Sequence, residues 1–470
     1  MSLSNLPREI VLVIADYLDD AEINALACTN SQVYDFLNRL LYRGDVTRFQ
    51  FQSKSLSWAA EHGEEGTIKQ AIKAGEHFNP IPRSFHTALQ LAAYYGHVRL
   101  VELLLEVENI DLNYRGHIFK DSTFRSTPLG CAAKMGHSDI VQLLLAEENV
   151  DPNIADESYS TPLCWACEMG HVSIVRQLLA QDDVYIDGIS GSKSLIKACF
   201  GRHVEIINLL LAQDGIDVNL QYYGYTALMV AVEKRLVEVV KSLLARNDVK
   251  PNIPCRNQHV LEAAMYLKDV GMMKLLLDHP DIDPNYVTAE GHSLLMCMIR
   301  PFMDATRTEP VLRLDMVKLL LGHERIDVNY QDSHGRTALD RAAIYDQFEI
   351  AKLLLEREDI DVNLPNNWGQ TPLFSSRARL ADLLLKKRGI DPNIRDVING
   401  HTPLTHACRY LYVDKVLVLL SCPDTDPNAV DNNGVSILTY LRNIWHSRTH
   451  HDRSRYYQIE SLLCAAGATT

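Results

Sequence analysis

The stretch that decides the fold is STPLGCAAKMGHSDIVQLLLAEENVDPN, residues 126–153. Thr127 offers a hydroxyl that caps a helix, and Pro128 behind it has its φ pre-set for the first helical position. Ala132 and Ala133 leave room for a neighbouring helix to approach closely. Gly136 suits the left-handed conformation that ends a first helix. Leu143, Leu144 and Leu145 are expected on the buried side of a second helix. Asp151 and Asn153 suit the turn that follows, through side chain to backbone hydrogen bonds.

The pattern recurs. The place of Thr127 is taken by Lys54, Thr87, Thr161, Ser194, Thr226, His259, Ser293, Thr337, Thr371, Thr402 and Ser436. Counted from Lys54 through Thr127 to Ser436, the steps are 33, 40, 34, 33, 32, 33, 34, 44, 34, 31 and 34 residues. A period near 33 with Thr-Pro-Leu followed by paired small residues resembles the ankyrin repeat. The resemblance covers twelve repeats over residues 54–470. It implies an all-α ankyrin-repeat solenoid of helix–turn–helix units with short β-turn fingers. No repeat buries its apolar face alone, so stability comes from neighbours stacked in a row.

Departures from the pattern carry their own expectations. The Gly-His step at 96–97, 136–137 and 170–171 becomes Arg202-His203, Arg235-Leu236 and Lys268-Asp269 in the middle of the chain. This predicts irregular first-helix ends in the repeats that start near Ser194, Thr226 and His259. The 44-residue step implies about ten inserted residues within 300–313, where Pro301 and Pro310 interrupt helix. The repeat at Thr371 is about four residues short between its helices. The last repeat carries a second insertion over residues 443–457.

Residues 1–44 lack the repeat pattern. Ile10 to Ile14 is a continuous apolar run that covers a helix's whole circumference, where one flank of a small domain needs only a stripe. Further apolar stretches follow at Ile23–Cys28 and at Val33, Phe36, Leu37, Leu40 and Leu41. A segment this short cannot bury so much apolar surface internally. The order Leu6-Pro7-x-Glu9-Ile10, Ile14, Tyr17-Leu18, Leu26, Tyr34, Leu37-Asn38, Leu41-Tyr42-Arg43 resembles an F-box. That family's module docks on the Skp-type adaptor of cullin–RING ubiquitin ligases. The third helix departs from the commonest pattern, with Val33 and Tyr34 near a position often held by Trp. The resemblance implies an adaptor contact made by Leu6, Pro7, Ile10, Ile14, Leu18, Ile23 and Leu26. Taken alone, the residues also allow these helices to be a cap on the first repeat. Residues 45–53 are too short and too aromatic for a flexible tether, which predicts a fixed angle between module and repeats.

Charge and composition narrow the function. Lys plus Arg number 46 against 60 Asp plus Glu, a net charge of −14, which repels phosphate backbones and anionic leaflets. Neither nucleic acid nor a membrane is expected as a partner. Arg8, Glu9 and Asp16 stand around an apolar run of only six residues, which argues against a signal peptide or a span of roughly 20 apolar residues. The ten cysteines are then reduced thiols, in the cytoplasm, the nucleus or both. Cys164 and Cys167 have a CxxC spacing but fall on a first helix, with Cys167 in a small-residue slot, so they are expected in the core. His446, His450 and His451, with Arg442, Arg448, Arg453 and Arg455, read as a solvated basic loop able to touch an acidic partner. No phosphate loop, nucleophile elbow or Ser/His/Asp arrangement stands out. Catalysis, cofactor and metal are all expected to be absent.

What remains is recognition. Ankyrin resemblance implies a concave surface built from the turn tips and the exposed side of each first helix. Aromatic residues at those positions are Tyr94, Tyr95, Phe200, Tyr222, Tyr223, Tyr225, Tyr266, Tyr345, Trp368 and Tyr410. Such rings suit a binding surface or fill gaps between irregular repeats. The densest group is Phe200, Tyr222, Tyr223, Tyr225 and Tyr266. Together the two resemblances imply the substrate-recognition subunit of a Skp–cullin–F-box ubiquitin ligase. The alternative is an ankyrin scaffold or sequestering protein whose N-terminal helices only cap the row.

Overall fold

The computed structural model describes residues 49–73, 78–79, 86–117, 125–186, 193–299, 309–444 and 450–469. The adaptor-contact candidates Leu6, Pro7, Ile10, Ile14, Leu18, Ile23 and Leu26 lie outside these residues. Helices alternate with turns in pairs. In order they are α1 (Phe49–His62) and α2 (Glu65–Lys73), α3 (Ala88–Tyr95) and α4 (Val98–Leu105), α5 (Pro128–Met135) and α6 (Ser138–Leu145). Next come α7 (Pro162–Met169) and α8 (Val172–Leu179), α9 (Lys193–Gly201) and α10 (Val204–Leu211), α11 (Ala227–Glu233) and α12 (Val237–Leu244). The chain continues with α13 (Val260–Tyr266) and α14 (Val270–Leu277), α15 (Leu294–Ile299) and α16 (Glu309–Leu321), α17 (Ala338–Ile344) and α18 (Phe348–Glu356). The last are α19 (Pro372–Ser375) and α20 (Ala378–Leu385), α21 (Pro403–Arg409) and α22 (Val413–Leu420), α23 (Ile437–Ile444) and α24 (His450–Ala465). Two compact units result, one ending at Leu243 and the other beginning at Leu244.

The repeat chemistry sets these boundaries. Thr127, Thr161 and Thr402 accept from the backbone N–H three residues on, at 3.1, 3.3 and 3.2 Å. Thr371 does not cap as expected: its hydroxyl is buried without a partner, because α19 is cut to four residues. The four-residue deficit read from the sequence therefore falls in the first helix and its turn. On second helices the Leu triplet is only partly inside. Ile140, Val141 and Leu144 are buried, while Leu143 and Leu145 are half-buried, as a 3.6-residue period requires.

The Gly-His step is a joint between neighbouring repeats. His137 Nε2 lies 3.0 Å from the Tyr94 carbonyl, and His171 and His203 repeat the bond to the Lys134 and Glu168 carbonyls at 3.1 and 3.0 Å. Gly136 has φ +88°, and a Cβ there would meet His171 Cε1 at 2.6 Å. Where glycine is missing the expected irregularity does not occur. Arg202, Arg235 and Lys268 take φ of 62°, 55° and 55°. Leu236 N–H still bonds the Ala231 carbonyl at 2.9 Å, matching His137 N–H on the Ala132 carbonyl at 3.0 Å. The left-handed turn is kept in a non-glycine residue, at a cost of about 1–2 kcal/mol each.

A second joint runs along the turns. In the first unit, Asn113 Nδ2 donates to the Asn149 carbonyl at 2.6 Å and its Oδ1 accepts from Asp151 N–H at 2.9 Å. Asn153 makes the same pair with Asp183 O and Tyr185 N–H. In the second unit Asn252, Asn285, Asn329, Asn363, Asn393 and Asn428 repeat it. Each Asp of the Asp-x-Asn element pins its own Asn backbone, as at Asp151 Oδ1 with Asn153 N–H, 2.8 Å.

Fingers connect the pairs. β1 (Gly116–His117) and β2 (Arg125–Ser126) pair antiparallel, with Gly116 opposite Ser126. Among the described residues four other fingers form a single bridge, such as Tyr222 with Tyr225. The insertions differ from expectation. Pro310 does not interrupt helix but lies within α16. The 443–457 insertion is not a loop from 450 onward, because α24 runs through it and buries Tyr456, Ile459 and Leu463. His446 lies outside the described residues.

Candidate protein-interaction surface

The fingers and first helices of the first unit bring aromatic rings and lysines together. Tyr222 and Tyr225 exchange backbone bonds of 2.9 and 3.0 Å across a two-residue turn. Tyr223 and Gly224 at its apex have φ of 50° and 77°, the geometry that matches strand twist in tight hairpins. This turn lifts Tyr223 into solvent, where it is 71% exposed. Tyr222 packs against Tyr223 with ring centroids 4.4 Å apart, and burial with a hydrogen bond to Tyr223 pushes the Tyr222 phenol up. Phe200, at the end of α9, meets Tyr225 edge-on at 5.7 Å. Four of the five densest candidates are thus one cluster. Tyr266 belongs to the second unit, half-exposed at the end of α13, with a hydrogen bond to Glu262.

Lysines cover these rings. Lys134 Nζ is 3.9 Å and Lys197 Nζ 4.7 Å from the centre of the Trp165 ring. Lys193 Nζ lies 5.1 Å from both the Tyr159 and Tyr222 rings and donates to the Tyr159 carbonyl at 3.2 Å. Lys234 Nζ is 5.9 Å from Phe200. Lys197 is buried and bonds Glu168. The Trp165 indole donates to buried Asp156 at 3.0 Å. Burial holds the Lys134 and Lys193 ammonium groups below the ordinary lysine range. The sequence marks Trp165 only as part of the CxxC helix and does not single out Tyr159, Lys193 or Lys197. Their signal is the lysine on either side of the Ser194 position, visible only when adjacent repeats are aligned.

The other candidates have partners of their own. Tyr94 and Tyr95 meet edge-on at 5.2 Å, and Tyr95 donates to Glu61 at 3.0 Å. Burial, then that carboxylate, pushes the Tyr95 phenol up to about 12. In the second unit Trp368 stacks on His334 at 5.9 Å beneath the Arg336 guanidinium at 5.2 Å. Tyr410 lies 4.7 Å from His406, and Tyr345 is partly exposed at the end of α17. Cys164 and Cys167, with Cys199 and Cys408 in the same slot, follow the core reading. Cys131, Cys164, Cys167, Cys199 and Cys408 are buried, and burial pushes the Cys199 thiol up to about 12 and Cys167 well above its usual value. The Cys167 and Cys199 thiols therefore stay protonated and unreactive. Among the described residues, no helix is long and apolar enough to cross a membrane.

A family model described as ankyrin repeats in three copies matches residues 114–187, 181–255 and 260–366, together more than half of the chain. A second, described as an ankyrin repeat, matches residues 85–117. Among curated proteins none matches the chain. Solved structures similar to it in part include two ankyrin-repeat proteins. A crystal structure of EF0377, an ankyrin repeat protein, is 23% identical, covering 43% of this chain and 98% of that one with a TM-score of 0.36. The human ASB11 ankyrin repeat domain is 25% identical, covering 44% of this chain and 90% of that one with a TM-score of 0.35.

Proposed function

The chain belongs to the ankyrin-repeat family, whose stacked repeats bind proteins, and on that footing we propose that it is the substrate-recognition subunit of a Skp–cullin–F-box ubiquitin ligase. One observation carries the reading: the order from Leu6-Pro7 to Leu41-Tyr42-Arg43, which resembles an F-box, precedes a long row of repeats with no catalytic arrangement of its own. Residues 1–44 hold the Skp-type adaptor, and exposed aromatic rings on the repeats hold a protein substrate. The chain performs no bond chemistry. It raises the effective concentration of substrate lysines at the conjugating enzyme, within the cytoplasm or nucleus. A fixed connector at residues 45–53 keeps that distance constant.

The test is co-purification of the full chain with the Skp-type adaptor. Stable one-to-one binding that is lost in Leu6→Ala/Pro7→Ala, with unchanged thermal unfolding, supports the receptor reading. If the intact chain does not bind the adaptor, and removal of residues 1–44 lowers stability while every partner stays bound, the segment is an end cap and the protein a scaffold.

A further inference from the structure

The lysine–aromatic cluster of the first unit reaches beyond a generic binding face, because it states the chemistry of what it binds. The chain as a whole carries a charge of −14, yet here ammonium groups gather. Lys134, Lys193 and Lys197 share two carboxylates, Asp156 and Glu168. Asp156 accepts from two neutral donors, Ser160 N–H at 2.8 Å on Oδ1 and the Trp165 indole at 3.0 Å on Oδ2, so it keeps its charge and offsets one lysine, as Glu168 offsets another. Lys234 adds a further positive charge beside Phe200. The cluster therefore keeps an excess of positive charge over an apolar floor of rings. It is also spread out: Lys134, Trp165, Lys193 and Lys234 come from four consecutive repeats, starting at Thr127, Thr161, Ser194 and Thr226. A single phosphate needs donors focused on one point, whereas a row of this kind fits a chain.

We propose that Lys134, Trp165, Lys193, Phe200, Tyr222 and Lys234 dock an extended acidic peptide, whose Asp and Glu carboxylates meet the lysines while its apolar side chains lie on the rings. This rests on the reading of the aromatic face as the partner-binding surface, and not on adaptor binding. The partner sequence it predicts alternates acidic and apolar residues. An arriving carboxylate also relieves the mutual repulsion of Lys134 and Lys197, which share one indole.

The experiment is selection of a random dodecapeptide display library on the full chain, followed by affinity measurement with the synthetic peptide most enriched. Expected are peptides rich in Asp and Glu with at least one Leu, Phe or Tyr. Their binding weakens about tenfold in Lys134→Gln/Lys193→Gln, survives in Lys193→Arg, and falls several-fold as salt rises from about 50 to about 200 mM. Unchanged thermal unfolding of the Gln variant keeps the comparison valid, and Lys234→Gln alone serves if that variant is destabilised. Selection of no peptide, peptides without acidic excess, or acidic peptides that bind the Gln variant equally would each overturn the proposal. So would a phosphoserine version that binds where its Glu counterpart does not. Non-acidic peptides that depend on Phe200 overturn this inference while leaving the receptor reading intact. Acidic peptides that bind a chain unable to hold the adaptor uphold the inference and sink the receptor reading.

Discussion

At the scale of single residues, the joints between repeats depend on atoms with no slack. Gly136 needs both its positive φ and its missing Cβ, because His171 packs on it. Gly215 has φ +80° with nothing within 4 Å of where a Cβ would stand, so it isolates the backbone part. Gly136→Ala should lower unfolding free energy by about 2–4 kcal/mol and Gly215→Ala by about 1 kcal/mol, measured by denaturant titration. Equal losses would show that the histidine contact is unimportant. Lys415 is the other singular residue. It is buried, donates to the Phe374 carbonyl at 2.8 Å beside truncated α19, and burial lowers its ammonium to about 7. The folded chain then binds fewer protons here than the unfolded chain between pH 7 and the usual lysine range near 10.5. Stability should therefore rise with pH across that window, by up to about 3 kcal/mol between pH 6.5 and 9.5. Lys415→Met should flatten the rise in denaturant titrations at those two pH values. The glycines were legible in the sequence because left-handed turns demand them. The partners of His171 and Lys415 were not, because each lies 37 or 41 residues upstream in a neighbouring repeat.

At the scale of elements, periodicity made the helix pairs readable, and tertiary contacts decided their ends. Arg235 and Lys268 break the rule that a left-handed cap wants glycine, yet α11 and α13 stop where the pattern says they should. Their second helices are already held in place, so packing overrides local preference. The terminal insertion departs from expectation for a related reason. Its His and Arg content suggests solvent, while Tyr456, Ile459 and Leu463 mark one helical face at three- and four-residue steps. The asparagine joints add a prediction at this scale. Asn329 bonds Asp359 O at 2.7 Å and Asp361 N–H at 2.8 Å, tying the turns after α16 and α18. Asn329→Ala should cost about 2 kcal/mol and raise hydrogen exchange at those turns before it affects the flanking helices. Uniform loss of protection across the second unit would show that the joint is not local.

At the scale of the whole molecule, length measures surface. The repeats can be counted in the sequence because each is a copy, and the aromatic positions stand out because they fall at fixed offsets. That Phe200, Tyr222, Tyr223 and Tyr225 join the lysines of neighbouring repeats is not legible there, since it needs four repeats stacked in space. The central claim is that one end of this chain and one face of its repeats act on the same proteins. It is tested by quantifying protein abundance in cells that carry the full chain, Leu6→Ala/Pro7→Ala or Phe200→Ala/Tyr223→Ala in place of the original. Phe200 and Tyr223 are exposed, so their loss should leave folding intact. Both variants should raise the same set of proteins. Two unrelated sets, or no change in either variant, would contradict the claim.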